Sequence, residues 1–325
     1  MEKSKQTEPQ VLKKLGHLFG VEVKNNRLDI PEEFGRGYCI GFVFNEHIRM
    51  LILDYELKDT IDIKSSDLDI AAQTILFKFQ NVFPEKETET RDIRQPFRTT
   101  PSVLVATRNL DPDLIVPIHT HTATINIEVD ALYLNNMFDF PKLSPVLKSL
   151  LQNKQPLVFE QIMFPSLKTI VKEILSKSGD ETFKIFFLRV KAEELICRLL
   201  MELDKRDEKH LYGLNIHDIQ TMYKIKELIL EHIEIPPVIK ELADFGNMSP
   251  TKLKRLFKQI FGNSIFNYYQ NFRMKKAAFL LNEEQMSVSE VGYKVGFTNL
   301  SHFSKVFNEH IGLKPKQFSK FHKSL

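Results

Sequence analysis

Thr251, Lys254, Arg255 and Lys258 stand at i, i+3, i+4 and i+7, the spacing that puts four side chains on one face of a helix. Ser301, Ser304 and Lys305, with Leu300 beside them and Asn308 a turn further on, make a second such set. Side chains of this kind do recognition chemistry rather than bond-making chemistry. Lysine and arginine neutralise phosphates, and arginine, serine and threonine can reach hydrogen-bonding groups on base edges. One basic stripe is ordinarily a solvated helix face. Here it comes twice, in one register, each time behind a turn that holds a capping residue.

The elements that must carry these faces are legible as a repeat. Thr251–Gly262 aligns with Ser301–Gly312, so that Leu253, Leu256, Phe257, Phe261 and Gly262 fall opposite Phe303, Val306, Phe307, Ile311 and Gly312. Arg255 falls opposite Lys305, and one residue tighter, Leu242-Ala243 matches Val291-Gly292. Leu253, Leu256, Phe257 and Ile260 gather on the side of the first helix away from the basic stripe. Ser249 ahead of Pro250 is suited to cap that helix, and Thr298 or Asn299 the second. Ala243 and Gly292 are small where a scaffold helix must come close to the helix that follows. The expectation is two tri-helical units, each a helix-turn-helix with one basic face.

Taken in order, Ile239-Lys-Glu-Leu-Ala243, Ser249 to Phe257, Gly262-Asn-Ser264, Arg273, Ala277 to Leu281, Val295-Gly-Phe297, Ser301 to Phe307 and Gly312-Leu-Lys-Pro315 resemble the DNA-binding domain of the AraC/XylS family of transcriptional regulators. The likeness runs over roughly residues 235–320. It implies seven helices, the central one near Ser264–Leu281 holding two recognition helices about one DNA turn apart. It implies base-reading roles for Thr251, Lys254 and Arg255, then Leu300, Ser301, Ser304 and Lys305, with Lys258 on the same basic face. It also implies double-stranded DNA, RNA polymerase and a small-molecule effector as partners, a homodimer formed through N-terminal helices, and activation as the commoner mode. Two positions depart from the family pattern. Lys305 stands where arginine is common, which weakens bidentate reading of guanine. Pro315-Lys-Gln-Phe318-Ser319 has serine where the family often ends in an arginine. The layout and the Pro236-Pro237 pair also resemble the siderophore-responsive (pyochelin regulator) branch, a fold-level likeness that does not fix a ligand.

Charge is split along the chain. Residues 236–325 hold 14 Lys and Arg against 6 Asp and Glu, while the whole chain of 325 residues is only +3. The first 235 residues are therefore net acidic, and the nucleic-acid footprint lies at the C-terminal end. Two cysteines, Cys39 and Cys197, do not make a disulfide framework and fit a reducing compartment. The N-terminal residues lack an apolar signal region, and no run of about 18 apolar residues offers a membrane span. A cytoplasmic protein without membrane contact is expected.

The N-terminal part reads as β-rich. Gly37–Asn45, Met50–Lys58, Ala72–Val82, Ser102–Arg108 and Thr124–Leu132 are short runs of Ile, Val, Phe and Leu between polar turns. Leu76, Lys78 and Gln80 alternate with Phe77 and Phe79 as in a half-buried strand. Helices are expected near 159–177 and 182–204, and an amphipathic connector carries Ile216, Ile219, Met222, Ile225 and Ile229. The fold class is thus α+β. A small β-barrel or sheet comes first, as an effector-binding, cupin-like domain over 1–140, followed by a helical connector and dimerisation region over 141–234. An all-α domain with two helix-turn-helix motifs covers 235–325.

An enzymatic reading rests on His119-Thr-His121, two imidazoles that could share one face of a strand and bind a metal. That would make the chain a metal-dependent, cupin-type enzyme fused to a DNA-binding tail. The glutamate such a site needs is missing, since positions 125 and 126 are Ile and Asn and Glu128 is misplaced. Cys39 has no activating neighbours, and no phosphate loop, catalytic triad or carboxylate pair is discernible. No enzyme activity, cofactor or metal is expected. Non-specific DNA association is the third reading, distinguished by equal binding to any duplex.

Overall fold

A computed structural model describes residues 9–58, 73–83, 101–107, 122–138, 142–176, 182–206, 211–282, 284 and 286–323. They fall into two compact units, one reaching to Ile216 and one running on from His217. The chain is α+β, with the sheet in the first unit and helices throughout the second.

In the first unit the apolar runs pair as one antiparallel sheet. Its strands are β1 (Arg27–Asp29), β2 (Gly35–Val43), β3 (Ile48–Leu57), β4 (Thr74–Gln80), β5 (Ser102–Thr107), β6 (Thr122–Asp130) and β7 (Val158–Ile162). The order β1-β2-β3-β6-β4-β5-β7 has no closing pair among the described residues. Ile127 of β6 lies opposite Met50 on one side and Phe77 on the other, which sets which face of three strands is apolar. That face packs on helices α2 (Ala131–Asn135), α3 (Pro145–Gln152), α4 (Pro165–Leu175) and α5 (Lys184–Asp204). Leu51, Leu53 and Cys39 turn the other way, onto Leu12, Leu15 and Phe19 of helix α1 (Gln10–Phe19).

Two expectations need correcting. The alternation in β4 holds only in part: Phe77 and Phe79 are fully buried and Leu76 and Gln80 part-exposed, but Lys78 on the outer face is only 8% exposed. The helix expected over 159–177 begins as a strand. Val158–Ile162 pairs antiparallel with Ser102–Ala106 as β7, and the helix starts only at Pro165, a residue suited to a first helical turn. The 141–234 stretch is therefore not wholly helical.

The second unit contains α6 (Ile216–Glu231), α7 (Ile239–Phe245), α8 (Pro250–Phe261), α9 (Ile265–Asn282), α10 (Val288–Lys294), α11 (Leu300–Ile311) and α12 (Pro315–Lys323). Seven helices are reached among the described residues only when the connector α6 is included. It packs on the first helix-turn-helix: Tyr223 meets Phe261 edge-on at 5.6 Å, and Lys252 Nζ donates to Asp218 at 2.8 Å. The central helix α9 lacks a single apolar side, because it is the shared core. Tyr268 packs on Phe257 and Phe261, while Met274, Ala277 and Leu281 join Phe303 and Phe307.

Candidate nucleic-acid interface

Capping fixes where each recognition helix begins. Lys252 N donates to Ser249 Oγ at 3.2 Å at the start of α8, and His302 N donates to Asn299 Oδ1 at 3.0 Å at the start of α11. Of the two candidates Thr298 and Asn299, the cap is Asn299. A third cap carried no weight in the sequence reading: Ser287 and Glu290 bond reciprocally across the first turn of α10. Those bonds hold the Glu290 carboxyl below its ordinary range. Both recognition helices end at a left-handed glycine, Gly262 and Gly312.

Burial then sorts the two faces. Leu253, Leu256, Phe257 and Ile260 are buried, while Thr251, Lys254, Arg255 and Lys258 are exposed together on the far side of α8. On α11, Phe303, Val306 and Phe307 are buried, Ser301 and Lys305 are exposed, and Ser304 is half-buried. Leu300 is half-buried as well, and a Cβ added to Gly292 would lie 2.6 Å from its Cδ2. Gly292 is thus small for the reason its spacing suggests: α10 and α11 meet there. Lys252, the remaining cation of the first turn of α8, is turned inward onto Asp218 and stands apart from the basic stripe.

Sequence reasoning gave no individual role to three side chains on or under these faces. His302 is exposed beside Ser301, its ring 5.5 Å from Phe297. His310 Nδ1 lies 2.8 Å from Asn271 Oδ1, joining the end of α11 to α9. Arg273 is a buried guanidinium in the middle of α9. Its Nε donates to the Val295 carbonyl at 2.5 Å, and its carbon sits 3.8 Å from the Phe297 ring centroid. Burial lowers the Arg273 pKa from its ordinary value and raises that of neighbouring Tyr269. Hydropathy patterning gives no sign of a buried charge, which is why this residue was noted only for its place in the family pattern.

His119 and His121 lie outside the described residues, within which no three His, Cys, Asp or Glu side chains gather as a metal set. No helix of the described residues is long and apolar enough to cross a membrane. Cys39 is buried, which pushes its thiol up to about 12, whereas Cys197 is exposed. Thiol titration at about pH 8 should therefore find one fast-reacting cysteine in the native protein and two after denaturation. Two fast thiols in the native state would contradict the packing of Cys39 under α1.

Comparison with known proteins places this geometry. Residues 242–320 match the family described as helix-turn-helix domain. The HTH-type transcriptional regulator GbdR of Pseudomonas aeruginosa is 35% identical over 108 residues, which are 33% of this chain and 29% of that protein. The arabinose operon regulatory protein of Escherichia coli is 34% identical over 80 residues, 25% of this chain and 27% of its own length. The chain thus spans about three-tenths of the length of these curated relatives. A solved AraC-type regulator from Chromobacterium violaceum is 27% identical, with a TM-score of 0.31, over 33% of this chain and 96% of that one. Residues 242–320 are a helix-turn-helix domain, similar to those of these transcriptional regulators.

Proposed function

We propose that this protein is a sequence-specific transcriptional regulator that binds double-stranded DNA through α8 and α11, with residues 235–325 as its DNA-binding domain. The observation that carries this reading is the doubled face: exposed hydroxyls and cations on two capped helices, mounted on one buried helix. Thr251, Lys254, Arg255 and Lys258 read one stretch of major groove, and Leu300, Ser301, Ser304 and Lys305 the next. A small-molecule effector bound in the β-rich region (1–140) shifts the population of DNA-competent conformers, and the bound protein recruits RNA polymerase as an activator in the cytoplasm. Genome-wide mapping of bound DNA in the source organism tests this. Discrete sites upstream of genes support it, and uniform binding to any duplex contradicts it.

Arg255→Ala should weaken binding by about 1–3 kcal/mol and relax specificity at one base pair. Equal loss on every sequence, measured by competition binding, would make Arg255 a phosphate contact instead.

The working state is a homodimer formed through the helical region (141–234). Phe183 precedes α5, and Phe186, Phe187, Val190 and Met201 stand on it, all exposed and on one side of the helix. A row of large apolar side chains in water marks a contact surface. Sedimentation should give a dimer that dissociates when Phe186 and Val190 are both changed to Asp. A wild-type monomer at working concentration contradicts the assignment.

A further inference from the structure

We propose that Arg273 is a positioning residue that sets the spacing between DNA half-sites at which the two recognition helices engage together. The inference rests on the DNA-reading function proposed above and adds the device that fixes its geometry.

Arg273 is 5% exposed, and among the described residues no carboxylate pairs with it. Burying a guanidinium without a counter-charge is unfavourable, and an apolar side chain would fill the same space at less cost. What the guanidinium supplies is direction. Its Nε–H points at the carbonyl of Val295, its Nη1 lies 3.5 Å from Gln270 Oε1, and its carbon lies over the Phe297 ring. Val295, Gly296 and Phe297 lie in the turn between α10 and α11, so the guanidinium fixes the entry to the second recognition helix, whose body packs on α9 through Met274, Ala277 and Leu281. Tyr268, earlier on the same helix, holds the other half, packing on Phe257 and Phe261 of α8. Two side chains of one helix, Tyr268 and Arg273, thus grip the two motifs.

The same turn has a second close neighbour. Gly296 has φ of +80°, and a Cβ there would run into the Glu234 carbonyl oxygen. Glu234 lies between α6 and α7, on the chain leading into the first helix-turn-helix. The turn of the second motif therefore meets both α9 and the lead-in to the first. A lysine at position 273 would keep the charge but lose the planar fork that fixes direction.

The test uses the full chain and duplexes selected from a random pool by the wild-type protein, remade with one or two base pairs added or removed between the half-sites. Wild type should lose about tenfold or more in affinity at the altered spacings. R273K and R273M, folded by circular dichroism, should bind a single half-site as wild type does yet discriminate spacings by no more than about threefold. F297L, which removes the ring under the guanidinium, should behave the same way. Three results overturn the proposal: folded variants that keep the wild-type spacing preference, variants that lose half-site and full-site affinity equally, or failure of all three to fold. A wild-type protein that selects no duplex from the pool would instead refute the DNA-reading function itself.

Discussion

Phe307→Ala should destabilise the C-terminal unit by about 3–5 kcal/mol, the cost of removing a fully buried ring and leaving a cavity. Phe307 is 0% exposed and packs edge-on against Phe303 at 5.7 Å and Phe318 at 5.6 Å. It therefore ties α11 to α12 as well as to α9. Phe257 plays the corresponding part in the first motif, against Phe261 at 4.5 Å and Tyr268 at 5.4 Å, and Phe257→Ala should cost a similar amount. The chain has no tryptophan, so the measurement is far-UV circular dichroism together with amide hydrogen exchange in α8 and α11. Unchanged exchange in the altered helix would contradict the assignment of its buried and exposed faces.

Gly296→Ala should be nearly as damaging, at about 2–5 kcal/mol, for a different reason. No apolar contact is lost. The added methyl would force a left-handed backbone angle on a residue that resists it and would meet the Glu234 carbonyl oxygen. The damage should centre on the turn between α10 and α11 and on the lead-in to α7, read as faster hydrogen exchange at both places. A variant as stable as wild type would show that the Glu234–Gly296 contact is dispensable.

These two predictions show which parts of the molecule local sequence could disclose. The face assignments of α8 and α11 were legible because a 3.6-residue period, a capping serine or asparagine and a terminal glycine all act within one or two turns. That Gly292 must be small where two helices meet was legible from the repeat, but its neighbour Leu300 was not. What escaped depends on partners far away in sequence. Val158–Ile162 could be read as the start of a helix until its pairing with Ser102–Ala106 is known. Helix α6 has an apolar side that says nothing of its neighbour, and Tyr223 on Phe261 assigns it to the second unit. The roles of Arg273 and Glu234 are carried by a carbonyl and a ring from other elements, which no periodicity encodes.

The central claim is that α8 and α11 enter successive stretches of one DNA groove. Hydroxyl-radical footprinting of the full chain on its own upstream sites tests this most directly. The expected result is two protected segments centred roughly one helical turn apart, about 10 base pairs. Arg255→Ala should weaken protection of only one of them. A single protected segment, or uniform protection of every duplex, would contradict the claim.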